Sequence, residues 1–374
     1  MKVQTVLGGV QMCKRAKIAA VAVILAASAF ISGCGLFGKG KEKLDPPQDV
    51  TYLKEGEDLD STLEETASDK ETTSDKETTG EEKADTVMRD LYLIDRNGMV
   101  VSQTLPLPKT ESTAKQVMEY LVADGPVAEI LPNGFRTVLP AGTTMDVDIK
   151  DGKAIVDFSE EFATYDAKDE KKILQAVTWT LTQFESVKSV ELRMNGHQLN
   201  EMPVNGTPIG EEGLSRQDGI NMDDSTAVDI TNTRPVTVYY LAQADDEVYY
   251  VPVTRRISNK EQDDIAAVVK ELADGPGMMK GLASALTGDV KLLESPKVEE
   301  GVATLNFNES IFGSDEKSII TDAALQSLVL SLTEQKDIKS VSVLVDGKAG
   351  LANEKGEPLT APVSRPEKIN AVRY

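Results

Sequence analysis

The chain offers few groups for chemistry, and those few stand singly. His197 is its one histidine, which excludes a multi-histidine metal site or a triad needing a second copy. Its place just after Asn195-Gly196 assigns it to a surface loop. Asp146 to Gly152, "DVDIKDG", has the acidic look of a calcium loop. Its third Asp and its Gly fall one residue late for an EF-hand, and the alternation of Val147 and Ile149 fits a strand instead. Ser112 and Lys115 have the Ser-x-x-Lys spacing of penicillin-interacting enzymes, without the Ser-Asp-Asn or Lys-Thr-Gly that should accompany it. Asp157 to Phe162, "DFSEEF", gathers carboxylates that could serve acid-base work. Gly275, Gly277 and Gly281 are spaced in "GPGMMKG", but after a helical stripe, where a dinucleotide loop must follow a strand. The expectation is a non-enzyme with no catalytic residue, no metal site and no cofactor.

The elements around these residues occur twice. Gly125 and Gly275, Gly152 and Gly301, Gly196 and Gly347 mark a period close to 150 residues, and "SRQDGIN" (215–221) answers "SRPEKIN" (364–370). So long a period indicates tandem domains, because solenoid repeats are far shorter. In each copy a hairpin comes first: "DLYLID" and "MVVSQTLPL" around an Asn-Gly signal, then "TVYYLA" and "VYYVPV" around Asp245 and Asp246. Ala114, Val117, Met118, Leu121 and Val122 form a helical stripe, repeated by Ile265, Val268, Val269, Leu272 and Ala273. Ser258 and Glu261 have capping-box spacing before the second of these helices. Each stripe runs into Ala-Asp-Gly-Pro, where Gly125 and Gly275 are expected to take the left-handed stop and Pro126 and Pro276 to prevent continuation. A second hairpin is "MDVDI" and "KAIVDF" in the first copy, "VKLL" and "VATLNF" in the second. A second amphipathic helix and a last alternating strand complete each unit.

The copy of DFSEEF is "NFNESIF", with Asn306 in place of Asp157, so a shared carboxylate pair is not supported. Lys348 stands where His197 would align. Tyr239, Tyr240, Tyr249 and Tyr250 of the second copy are the best candidates for sugar stacking, although paired strands would make them half core and half surface. The fold expected is α+β: two small domains, each about ββαββαβ, with a mainly antiparallel sheet and two helices on one face. The other sheet face is left open to solvent or a partner.

At the N-terminus Lys14, Arg15 and Lys17 precede the apolar run "IAAVAVILAASAFI" and then "ISGC". The run is short for a bilayer span but suits a secretory signal, and "ISGC" resembles a lipobox whose cysteine is acylated. Cys13 would leave with the signal, so Cys34, the expected lipidation site, would be the one remaining thiol. Between Lys41 and Thr86, 16 acidic residues face 6 basic ones, and "SDKETT" occurs in tandem. Such a segment cannot bury enough apolar surface to offset its ordering entropy and is expected to be a disordered acidic linker. The net charge of −22 excludes nucleic acid as a partner, since phosphate neutralisation needs a basic face. The organisation read is signal peptide 1–33, lipidated Cys34 and linker 34–86, domain 87–221, linker 222–235 and domain 236–370, with each domain folding on its own.

Lipobox, acidic spacer, the paired "ADGP" helix ends, the "KAIVDFS" and "VATLNFN" strands and the closing "SRQDGIN" and "SRPEKIN" together resemble the GerMN-domain family of sporulation and germination lipoproteins. This resemblance implies domains similar to the ring-building motifs of secretion-system and sporulation-channel proteins. It also implies a membrane-anchored role outside the cell membrane, in the mother cell–forespore intermembrane space. The partners so implied are membrane lipid through acylated Cys34 and proteins of the channel complex, with an effect on the spore cortex; self-association is left open. The family supplies no catalytic residues. "LASALTGDV" departs from the first copy's "FRTVLPAGT", so the two domains are expected to meet different surfaces. The competing reading is an envelope protein that binds or modifies peptidoglycan.

Overall fold

A computed structural model describes residues 85–222, 230–245, 247–312 and 318–371. The signal segment, Cys34, the acidic spacer and most of the inter-domain linker lie outside the described residues. All the described residues lie in one compact unit, Thr78–Tyr374.

The first copy runs β1 (Thr86–Asp95), β2 (Val100–Pro108), α1 (Thr113–Glu119), β3 (Phe135–Arg136), β4 (Met145–Lys150), β5 (Lys153–Phe158), α2 (Glu170–Leu181), β6 (Ser189–Met194) and β7 (His197–Gln198). The second runs β8 (Thr233–Ala244), β9 (Glu247–Ser258), α3 (Asp264–Asp274), β10 (Leu282–Ala283), β11 (Lys297–Glu299), β12 (Val302–Phe307), α4 (Asp322–Leu332), β13 (Ser340–Val345) and β14 (Val363–Ser364). The α+β tandem and its mainly antiparallel pairing are as the sequence predicts. In detail, each first hairpin forms a sheet of its own, ordered β2-β1-β3 and β10-β8-β9, apart from a four-stranded sheet, β4-β5-β6-β7 or β11-β12-β13-β14. One pair in each copy, β5 with β6 and β12 with β13, is parallel, because a helix carries the chain back across the sheet. The packed helix α2 buries Ile173, Ala176, Val177 and Leu181, and α4 buries Leu325, Leu328, Val329 and Leu332.

Local details depart from expectation for identifiable reasons. The two Ala-Asp-Gly-Pro stops do not use the left-handed turn. Gly275 caps α3 with φ +79° and ψ −177°, a region open almost to glycine alone. Gly125 is extended at φ −79°, and glycine is needed there because a Cβ would lie 2.5 Å from the Glu119 carbonyl oxygen. α1 ends at Glu119, short of its stripe, because the Leu121 carbonyl accepts from the amides of Val138 and Leu139 and Val122 bridges Leu139. Ser258 closes β9 and forms no capping box; Asp263 caps α3, accepting from the amides of Ile265 and Ala266 at 3.0 Å. The second copy's hairpin strand is β11 and not "VKLL", since a two-residue turn at Glu300-Gly301 can pair only the residues directly before it. Of "VKLL", Leu292 instead bridges Phe307 at the far end of β12.

The sheet face expected to lie open is closed over β2. Val100 to Leu105 are buried without a break along that strand, on both faces. Val101 leaves the first copy's core to join the second copy's, among Val236, Val238 and Val251.

Candidate functional site

The residues that suggested chemistry lie at turns and on the surface. His197 is exposed on β7, directly after the Asn195-Gly196 turn. The Asp157 carboxylate accepts from the Gly196 amide at 2.9 Å; in the second copy the Asn306 side chain accepts from the Gly347 amide at 2.8 Å. A turn-closing acceptor can be carboxylate or amide, which accounts for the exchange of Asp for Asn. Lys115 does meet a carboxylate of the apparent calcium loop, Asp146 at 2.9 Å, but Asp146 is 90% exposed and the pair lies on the surface. Among the described residues no group of three or more His, Cys, Asp or Glu is placed to hold a metal ion. None of those residues has helices long and apolar enough to cross a membrane.

The tyrosines are not surface platforms. Tyr239, Tyr240 and Tyr249 are buried. The Tyr240 hydroxyl donates to the carbonyls of Glu271 and Gly275 at the end of α3. Tyr249 donates to Asp95 of the first copy at 2.7 Å, and its ring meets Phe135 edge-on. Tyr239 donates to Glu334 at 2.8 Å.

These last contacts belong to a junction that the closing segments of both copies build, each by crossing to the other's hairpin. Asn221 uses its side chain on β2 and β9 together: Nδ2 donates to the carbonyls of Val100 and Pro252, and Oδ1 accepts from the Val100 amide. Asn370 repeats the device one step along, with Nδ2 on the carbonyls of Ser102 and Tyr250 and Oδ1 on the Tyr250 amide. Exchanging the copies exchanges these bonds, so the junction has an approximate two-fold axis. Ile220 exchanges two bonds with Thr254, and Ile369 exchanges two with Thr104. Both asparagines have positive φ, 46° and 55°, a conformation Asn tolerates better than most residues. The amides of two strand edges that do not pair are thereby satisfied inside the protein.

At the axis the symmetry meets a single charge. Arg216 and Arg365, the arginines of "SRQDGIN" and "SRPEKIN", both reach Glu334, at 2.8 and 2.7 Å. The equivalent side chain of the first copy is Gln183, which bonds the backbone of Asp90. Arg216 lies over the Trp179 ring, 4.3 Å from its centroid, and Arg365 over Tyr239 at 5.3 Å. Planar guanidinium groups suit such stacking and bidentate contact at once. Burial pushes the Glu334 carboxyl up, but the two guanidinium groups and the Tyr239 hydroxyl outweigh it and hold the group down at about 2. Burial likewise raises the Tyr92 hydroxyl beside it to about 12. Around the edge of the junction Arg96 makes a two-toothed contact with Asp245 at 3.1 and 3.3 Å.

A family model described as Germane, "Sporulation and spore germination", matches residues 90–200 and 237–350. The chain belongs to this family. Over 365 residues, 96% of this chain and 99% of the relative, it is 56% identical to the spore germination protein GerM of Bacillus subtilis (strain 168). The solved tandem GerMN domains of that protein superpose with a TM-score of 0.74 at 60% identity, covering 77% of this chain and all of theirs. A shorter likeness, 29% over 102 residues, is to lipoprotein LpqB of Thermobifida fusca (strain YX), covering 26% of this chain and 16% of that one. The two Germane copies are thus the body of the described structure, and their junction joins side chains of both. Sequence reasoning missed it, although "SRQDGIN" and "SRPEKIN" carried the signal: repeated Arg, Ile and Asn, at equal spacing, outside any helix or strand pattern.

Proposed function

We propose that the chain is a non-enzymatic assembly or stabilising component of the mother cell–forespore channel complex, acting in sporulation and germination and affecting the cortex. It is held outside the cell membrane by acylated Cys34, with 34–86 as spacer and 87–221 and 236–370 as joined Germane domains. The observation that carries this reading is the junction. Arg216 of the first copy crosses to Glu334 of the second, which Arg365 also holds, and so ties one copy to the other. A rigid double module on a long tether suits docking among neighbours near a membrane.

Cross-linking and pull-down from sporulating cells is the test. Recovery of channel components is the expected result; muropeptide changes produced by the purified protein would replace this reading with the peptidoglycan one. Membrane fractionation of Cys34→Ala is expected to show the mature protein released, and unchanged retention would remove lipidation as the anchor.

A further inference from the structure

Away from the axis, the junction's two-fold relation also fails beside Asn370, where there is a cavity. The space, about 310 Å³, is lined by Gln103 of β2, Glu247, Val248 and Tyr249 of β9, and Phe135 among others. Gln103 is 3% exposed, yet among the described residues its carboxamide has no hydrogen-bond partner. Its counterpart in the second copy is Val253, fully buried among apolar neighbours. Its amide atoms open onto the cavity and not onto a protein partner, so where the second copy packs a valine the first keeps a polar group facing that space.

We infer that this cavity binds an extended peptide segment bearing basic and apolar side chains, contributed by a protein partner. Gln103 offers one donor and one acceptor side by side, which matches the N–H and C=O of a peptide unit. Phe135, Tyr249 and the 58% exposed Val248 supply an apolar wall, and the exposed Glu247 carboxylate stands at the rim beside the Arg96–Asp245 pair. The rim favours a cationic ligand, as does a chain with a net charge of −22. A sugar fits less well: Tyr249 is 5% exposed and covered edge-on by Phe135, so no open ring remains for stacking. The inference rests on the assembly reading only for the source of the peptide.

The test is fluorescence anisotropy on the intact chain in detergent, with a capped, dye-labelled peptide of alternating Lys and Val. Saturable binding is expected, weakened about tenfold by Gln103→Val and again by Glu247→Lys at the exposed rim, with melting temperatures unchanged or raised. A peptide with Glu in place of Lys should not bind. No saturable binding, or binding indifferent to both variants, overturns the inference. So does competition by an N-acetylglucosamine–N-acetylmuramic acid disaccharide, which would make this a glycan site. Binding that appears only after residues 372–374 are removed would identify the chain's own C-terminus as occupant and overturn it as well. Failure here leaves the pull-down of channel components untouched, and failure there leaves this binding curve standing.

Discussion

The two copies share a fold and a junction, yet they divide the work unequally. Each sends an Ile and an Asn across to the other's hairpin, and at Asn221 and Asn370 the contributions match bond for bond, while Arg216 crosses to Glu334 and Arg365 meets it from within its own copy. At the axis one copy has Gln183 and the other Glu334. Two carboxylates there would leave two arginines facing two buried acids at close quarters; two glutamines would leave two buried cations with none. Duplication made the surface self-complementary, and a single charge difference completes it. The difference teaches that the halves are no longer interchangeable, although nearly every backbone contact between them still is.

Severing the copies is the most drastic way to break this comparison. Each has its own apolar core, so 87–221 and 236–370 should retain secondary structure as separate fragments. Each would also strand its closing segment and expose β2 or β9 along an edge with no partner. The first fragment should therefore associate with itself through the matching surface, which carries no charge at its axis position beyond Arg216. Analytical ultracentrifugation is expected to show dimer for 87–221, and a mixture of the two fragments should form the heterodimer in preference. A monomeric, fully stable first fragment would show that the crossed segments contribute little.

Glu334→Gln, which gives both copies the same residue, is expected to cost about 3 kcal/mol, because it leaves Arg216 and Arg365 partly buried and unpaired. Urea denaturation measures it. The pH dependence has a definite sign. Glu334 in the folded protein titrates near 2, below the usual carboxylate value, so its contribution is complete above the usual value and is lost as pH falls toward 2. The gap in stability between parent and variant should be constant near neutrality and shrink between about pH 5 and 2. A gap that persists at pH 2 would assign the cost to shape and not to charge.

The asparagines sharpen the symmetry itself. Asn221→Gly and Asn370→Gly keep the positive φ accessible and delete three side-chain hydrogen bonds each, so each should cost about 2 kcal/mol, with equal effects. Thermal unfolding of the pair, alone and combined, reads both size and coupling. Unequal costs would show that one half of the junction bears more of the load than its geometry suggests.

Much of this was legible before the structure. The alternation in "KAIVDF" and "VATLNF" placed β5 and β12, Asp151-Gly152 and Gly301 placed their turns, and the 150-residue period exposed the duplication. Those signals are local or repeated, and short-range rules read them. What stayed hidden depended on distance. Leu121 and Val122 fit a helical stripe and are buried, but a bridge to Leu139 takes them out of the helix. Gly125 looks like a helix stop for its φ and is in fact needed for a close approach to Glu119. Tyr249 reads as a half-surface residue until Asp95 and Phe135 of the other copy cover it. The junction could not be read because Arg216 and Glu334 lie far apart in sequence and no periodicity links them.

The smallest effect tests the two threonines that hold the crossed isoleucines. The Thr104 hydroxyl serves three partners: it meets Asp90 and the Ile369 carbonyl at 2.6 Å each and accepts from the Ile369 amide. Thr254 uses its hydroxyl on the Ile220 amide and on Thr237, while its own backbone amide donates to the Ile220 carbonyl. Replacing either with valine keeps the shape and removes the hydroxyl. Thr254→Val leaves one crossed amide unpaired and should cost about 1 kcal/mol; Thr104→Val orphans both the amide and the carbonyl of Ile369 and should cost more, about 2 kcal/mol. Burial already raises the Asp90 carboxyl, and losing the Thr104 hydroxyl removes a group that lowers it, so this variant should shift the Asp90 titration upward as well. Carbon-detected NMR titration of the carboxyl reads that shift separately from stability. Equal costs with no movement of Asp90 would show that the copies treat their threonines alike, and that the asymmetry begins and ends at Glu334.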